Sequence, residues 1–159
     1  MGLPKILKLI ISILICEGAG IIGSFFTTPT ISTWYQTLNR PFFAPPNFLF
    51  APVWIILYFL MGVSLYLVWE KGLDKKKVKH ALLFFGLQLI LNVSWSALFF
   101  GLRSPLDGLI AIVVLWCLIL LTIIYFLKVS KTAGYLLFPY LAWVTFATLL
   151  NLAIYLLNR

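Results

Sequence analysis

Residues 34–69 read WYQTLNRPFFAPPNFLFAPVWIILYFLMGVSLYLVW. The first part of this stretch is polar and carries Pro41, Pro45 and Pro46; Pro52 stands early in the second. Proline fixes φ and removes a backbone donor, and the residue before it is pushed out of the helical region. Residues 40–46 therefore cannot be helix interior and should hold one shape. From Asn47 to Trp69 the chain is apolar and long enough to cross a bilayer, which takes about 20 residues. A stiff, aromatic-rich loop feeding into an apolar helix reads as the lid of a pocket.

Further apolar runs lie at roughly 5–26, 80–101, 105–127 and 134–157. The chain has 159 residues, 63% hydrophobic and 10% charged, with mean hydropathy +1.08. Soluble globular domains are not composed this way. Backbone groups in lipid must be satisfied within the segment, so each run should be a helix. The expected fold is an all-α integral membrane protein, a single five-helix bundle over 1–159, with 27–46 as the lid loop. Two lysines precede the first run with no clear cleavage site after it, so it reads as a helix that stays.

Lys5, Lys8, Lys71, Lys75, Lys76, Lys77, Lys79, Lys128 and Lys131 fall on one side of such a bundle; Arg40, Arg103 and Arg159 fall on the other. The positive-inside rule then puts the N-terminus in the cytoplasm, and the C-terminus and lid outside a cell inner or plasma membrane. The net charge of +8 is mostly this topology signal. It does not point to nucleic acid, which would want basic residues on a soluble fold. Cys16 and Cys117 sit inside apolar runs and read as small core residues, not a disulfide or metal pair.

Polar residues inside the runs are few. Glu17 is the only carboxylate deep in one; it must be protonated, paired or facing a polar cavity. Arg40 could meet a ligand carboxylate or pin the lid. On the second helix Trp54, Tyr58, Met61 and Leu65 form one stripe. On the third, Gln88, Asn92 and Trp95 share a face, as interhelical glue or as cavity wall. Ser104-Pro105-Leu106-Asp107 is a helix start, which makes Asp107 structural. On the fifth helix Pro139 should bend the first third, and Trp143, Ala147 and Asn151 share a face. Alternating helix directions bring Glu17, Trp54, Tyr58, Asn92, Trp95, Trp143 and Asn151 to one level beneath the lid. An aromatic pocket there would suit a flat, largely apolar ligand. His80 is far from that level. No metal cluster or nucleophile–base set can be assembled at one depth.

Trp34-Tyr35, Leu38, Arg40-Pro41, Pro45-Pro46, Pro52-Val53-Trp54, Tyr58, Met61-Gly62 and Val68-Trp69 resemble the signature of the TspO/MBR family of tryptophan-rich sensory and translocator proteins. The likeness extends through Gly23-Ser24, Gln88, Asn92, Trp95, Phe99-Phe100-Gly101, Pro139 to Trp143, and Asn151. It implies a homodimeric five-helix receptor that binds tetrapyrroles such as protoporphyrin IX or haem as ligand, with no obligatory cofactor. It also implies light- and oxygen-dependent porphyrin degradation as an alternative role, with Trp54 and Trp143 in the chemistry, and Tyr35, Asn92, Trp95 and Ala142 lining the cavity. Three positions depart from the family's habit. Arg40 stands for lysine, Phe43 for tryptophan, and Ala111 for a carboxylate. A porphyrin or sterol transporter is the third reading, though the halves show no repeat.

Overall fold

The computed structural model describes Gly2–Arg159 and is 82% helical, with no strands among those residues. The helices are α1 (Lys5–Ile31), α2 (Trp34–Thr37), α3 (Phe50–Trp69), α4 (Lys76–Ser96), α5 (Pro105–Val129), α6 (Lys131–Tyr135) and α7 (Phe138–Leu157). A 3₁₀ turn, Asn47–Leu49, leads into α3, and a π-turn, Ala97–Gly101, ends α4. Counting these turns, five helical segments are long and apolar enough to cross a membrane. Apolar side chains cover the outside as well as the core: Ile10, Ile22, Ile56, Ile90, Ile110 and Leu149 are all exposed. That is the pattern of a bundle solvated by lipid.

The bundle is a ring. Helix α1 runs antiparallel to α3 and parallel to α4; α5 packs antiparallel to α4 and α7. The ring closes where α6 meets α3, and there the Ser64 hydroxyl donates to the Ala133 carbonyl at 2.7 Å. One end carries the lysines, with Lys8 paired to Glu70 at 2.9 Å. The lid, residues 32–46, lies at the other end.

Small residues set the helix spacing. A Cβ on Gly62 would lie 2.6 Å from the Ile13 Cα, so α1 and α3 touch backbone to backbone there. The Ala19…Gly23 pair faces α4, where a Gly23 Cβ would meet Ser96; a Gly101 Cβ would meet the Phe26 ring. Gly23 and Gly101 are thus engaged in packing within the chain.

Several local expectations are corrected. Helix α1 passes through Pro29 to Ile31, beyond the expected end at Phe26. Threonine hydroxyls support this extra turn: Thr27 donates back to Gly23 and Thr30 to Phe26. Pro139 does not bend a continuous fifth helix. The chain breaks at residues 136–137, and Pro139 sits in the first turn of α7, where its missing N–H is not needed. Cys117 is exposed on the outer face, whereas Cys16 is buried in the core. Asp107 follows the expected pattern, with its N–H donating to the Ser104 hydroxyl at 3.2 Å.

Gly62→Ala should lower the thermal midpoint in detergent, at a cost of about 1–3 kcal/mol from overpacking against Ile13. Gly18→Ala, whose Cβ would meet nothing within 4 Å, should leave it unchanged or slightly raised. Equal midpoints for the two variants would show that the α1–α3 contact is not tight.

Candidate functional site

Above the Gly62–Ile13 contact the two helices separate. They touch once more where Gly20 faces the Tyr58 ring, at 2.7 Å from a Cβ built on the glycine. From that level toward the lid they leave a cleft of about 360 Å³, with α4 as its back wall. Glu17, Gly20 and Ser24 line it from α1; Phe50, Trp54 and Tyr58 from α3; Asn92, Trp95 and Phe100 from α4. Ile21 and Ile55 also line it and are exposed on the outer face. They form a rim, so the cleft opens sideways between α1 and α3 toward lipid.

A smaller void of about 30 Å³ lies deeper in the ring. Tyr35, Trp143 and Asn151 line it, and Phe50, Trp54, Trp95 and Phe100 line both spaces. The single pocket expected beneath the lid is therefore two spaces separated by an aromatic partition. Within it Trp54 lies 5.5 Å from Tyr58 and 6.2 Å from Trp95, centroid to centroid. Trp143 packs edge-on to Phe50 at 6.4 Å and beside Phe146 at 5.4 Å.

The buried polar groups form a directed chain across three helices. The Tyr58 hydroxyl donates to Asn92 Oδ1 at 2.6 Å, Asn92 Nδ2 to the Tyr140 oxygen at 2.7 Å, and Tyr140 to Gln88 Oε1 at 2.8 Å. A second link runs from Trp95 Nε1 to Asn151 Oδ1 at 3.1 Å, with Asn151 Nδ2 donating to the Pro105 carbonyl at 2.9 Å. Asn92 is thus both glue and wall. Trp116 donates to Thr145 at 2.7 Å, tying α5 to α7. Among the described residues the indole N–H groups of Trp54 and Trp143 meet no protein acceptor, and the Tyr35 hydroxyl is buried without a partner.

The residues expected at the site therefore divide. Tyr58 and Asn92 line the cleft, Tyr35, Trp143 and Asn151 line the void, and Trp54 and Trp95 line both. Arg40 and Ala142 line neither, and both are exposed. Arg40 covers the lid's inner residue instead, its guanidinium 5.2 Å from the Tyr35 ring centroid and 3.5 Å from Asn47 Oδ1. Burial pushes the Tyr35 phenol pKa above its ordinary value, while the charge of Arg40 pulls it down. No residue of 32–46 lines the cleft; the lid enters the site only through Tyr35, over the void. Ala142 misses because it lies on the outer side of α7, one residue from Trp143.

Two features escaped sequence reading. Tyr140 is the hub of the polar chain; its place three residues before Trp143, on the same helix face, was the available signal. The lid is also clasped to the end of α7. The Asn39 N–H donates to Asn158 Oδ1, and Asn158 Nδ2 donates to the Asn39 carbonyl, both at 2.9 Å. Nothing in the sequence pairs those two asparagines.

A model of the TspO/MBR family matches residues 12–157. The tryptophan-rich protein TspO of Archaeoglobus fulgidus is 51% identical over 97% of this chain and 99% of its own length. The protein of the same name from Chlorobaculum tepidum is 47% identical over 97% of this chain and 98% of its own. The translocator protein of Homo sapiens is 37% identical over 84% and 80%.

Tyr140→Phe should destabilise more than Tyr58→Phe. The first leaves both Asn92 Nδ2 and Gln88 Oε1 without a buried partner, the second only Asn92 Oδ1, at about 1–3 kcal/mol per orphaned group. Denaturant unfolding in detergent measures the difference; a larger loss from Tyr58→Phe would contradict the chain's direction.

Proposed function

The chain belongs to the TspO/MBR family, and on that premise we propose that it is a membrane sensory or regulatory protein that binds a tetrapyrrole, protoporphyrin IX or haem. The observation that carries this reading is the aromatic cleft between α1 and α3, open to lipid, with the unpartnered Trp54 indole on its wall. Its volume lies within the range of about 300–1,000 Å³ usual for small-molecule sites. Flat aromatic walls favour a flat ring, and the sideways opening admits a ligand already dissolved in the bilayer. The partition of Phe50, Trp54, Trp95 and Phe100 offers room to grow, since turning one of these rings would join cleft and void. Relatives are named translocator protein and tryptophan-rich sensory protein, which agrees with a sensory or regulatory role.

His80 packs 6.2 Å from Tyr125 at the lysine end, so a haem in the cleft would be held by its ring faces and edges, without histidine ligation. Light- and oxygen-dependent breakdown of the bound porphyrin is the second reading. It is favoured by an oxidisable indole, Trp54, that faces the cleft with no protein acceptor. The lysine end is cytoplasmic and the lid external in this proposal, following the positive-inside rule in a cell inner or plasma membrane.

Protoporphyrin IX titrated into the detergent-solubilised protein in darkness should quench tryptophan fluorescence. Trp54→Ala should weaken binding about tenfold, some 1.4 kcal/mol, and Trp143→Ala less. Unchanged affinity in both variants would remove the tetrapyrrole reading. Under illumination Trp54→Phe should bind but bleach the porphyrin more slowly; bleaching equal to that of free porphyrin in detergent would remove the degradative one. With both native cysteines replaced, a cysteine placed by Gln36→Cys should react with an impermeant reagent in intact cells, and one placed by Asp74→Cys only after permeabilisation. The reverse would invert the orientation.

A further inference from the structure

The cleft wall carries one carboxyl side chain, and no protein group answers it. Glu17 stands about 18 Å of helix rise beyond Lys5 and about 21 Å short of Ile31, near mid-span. It lines the cleft and makes no hydrogen bond or ion pair among the described residues. At the lysine end the same two helices do pair their charges, Lys8 with Glu70. A carboxyl group at membrane depth with no partner in the chain is costly and marks a functional position. Its partner comes from outside the chain.

The neighbouring polar groups say what that partner carries. Gly20 against Tyr58, and Tyr58 bonded to Asn92, put the phenol and the amide at the inner end of the cleft with Glu17. The Tyr58 hydroxyl donates to Asn92, and Asn92 donates to Tyr140, so both are tied into the protein. The carboxyl at this end is that of Glu17, an acceptor for an N–H or ammonium group.

We propose that Glu17 is a ligand-recognition residue that takes a hydrogen bond or ion pair from an N–H or ammonium group on the inward edge of a flat, apolar-bodied molecule entering from lipid between Ile21 and Ile55. The ligand class is an aromatic heterocycle or amine with a donor or protonated nitrogen. A phospholipid ammonium stays at the bilayer surface and does not reach this depth, so the ligand is one dissolved in the hydrocarbon. The inference requires the cleft and not the tetrapyrrole reading.

The test uses the full chain in detergent and two flat probes of similar size, cationic 9-aminoacridine and anionic anthracene-9-carboxylate, with protoporphyrin IX run in parallel. The wild type should bind the amine at least tenfold more tightly than the carboxylate. Glu17→Gln should lose about tenfold for the amine and little for the carboxylate, while Glu17→Asp keeps most of the preference. Equal binding of the amine by Glu17→Gln and wild type overturns the proposal, as does an equal loss for both probes. The wild-type preference needs no variant, and a preference for the carboxylate overturns the proposal by itself. Porphyrin quenching that survives a Glu17-independent amine result leaves the tetrapyrrole reading standing and this one fallen. Amine binding that depends on Glu17, without porphyrin quenching, does the reverse.

Discussion

In hydrocarbon a phenol or an amide has no water to return to, so its partner must come from another helix. The run from Tyr58 through Asn92 and Tyr140 to Gln88 meets that demand for α3, α4 and α7 at once. It sets the rotation of each helix about its axis, because a turn of one residue would leave several groups unpaired. The aromatic partition rests on this arrangement. Trp54 packs on Tyr58 and on Tyr140, both members of the chain, and Trp95 is held by Asn151.

Against that satisfied interior the unsatisfied groups stand out. The Trp54 indole and the Glu17 carboxyl face the cleft and lack protein partners. Elsewhere threonine hydroxyls return to their own helices, Trp116 finds Thr145, and Ser104 caps α5. The Ser12 and Tyr35 hydroxyls and Gln88 Nε2 are also buried without a partner, but none of them lines the lipid-facing gap. Glycine makes the gap. Backbone contact at Gly62 and the Gly20–Tyr58 contact hold α1 and α3 close at the inner end, and the cleft lies beyond them toward the lid.

Much of the fold was legible in residue type. Runs of about 20 apolar residues in lipid leave the backbone one option, and prolines 41, 45 and 46 keep residues 40–46 of the lid out of a helix. Where reading failed, a local rule met a compensation it could not see. The first apolar run stops near Phe26, but the threonine hydroxyls beyond it bond back to carbonyls and the helix runs on through Pro29 to Ile31. Pro139 looked like a bend, but a break at residues 136–137 let it begin α7 instead. The Asn39–Asn158 clasp joins residues far apart in the chain, and no periodicity or composition marks it.

By itself the sequence determined the class of the molecule, the number of its spans and the residue types available to a site, because hydropathy, helical period and proline geometry are local properties of the chain. Tertiary structure alone decided which of those residues share a space. Trp54 stands in an aromatic wall between two spaces, and Trp143 reaches only the inner one; Arg40 lies over Tyr35; and Glu17 faces an open cleft without a partner. Each of these depends on how far two helices separate and how each is turned, and side-chain volumes and hydrogen-bond partners from distant parts of the chain set both.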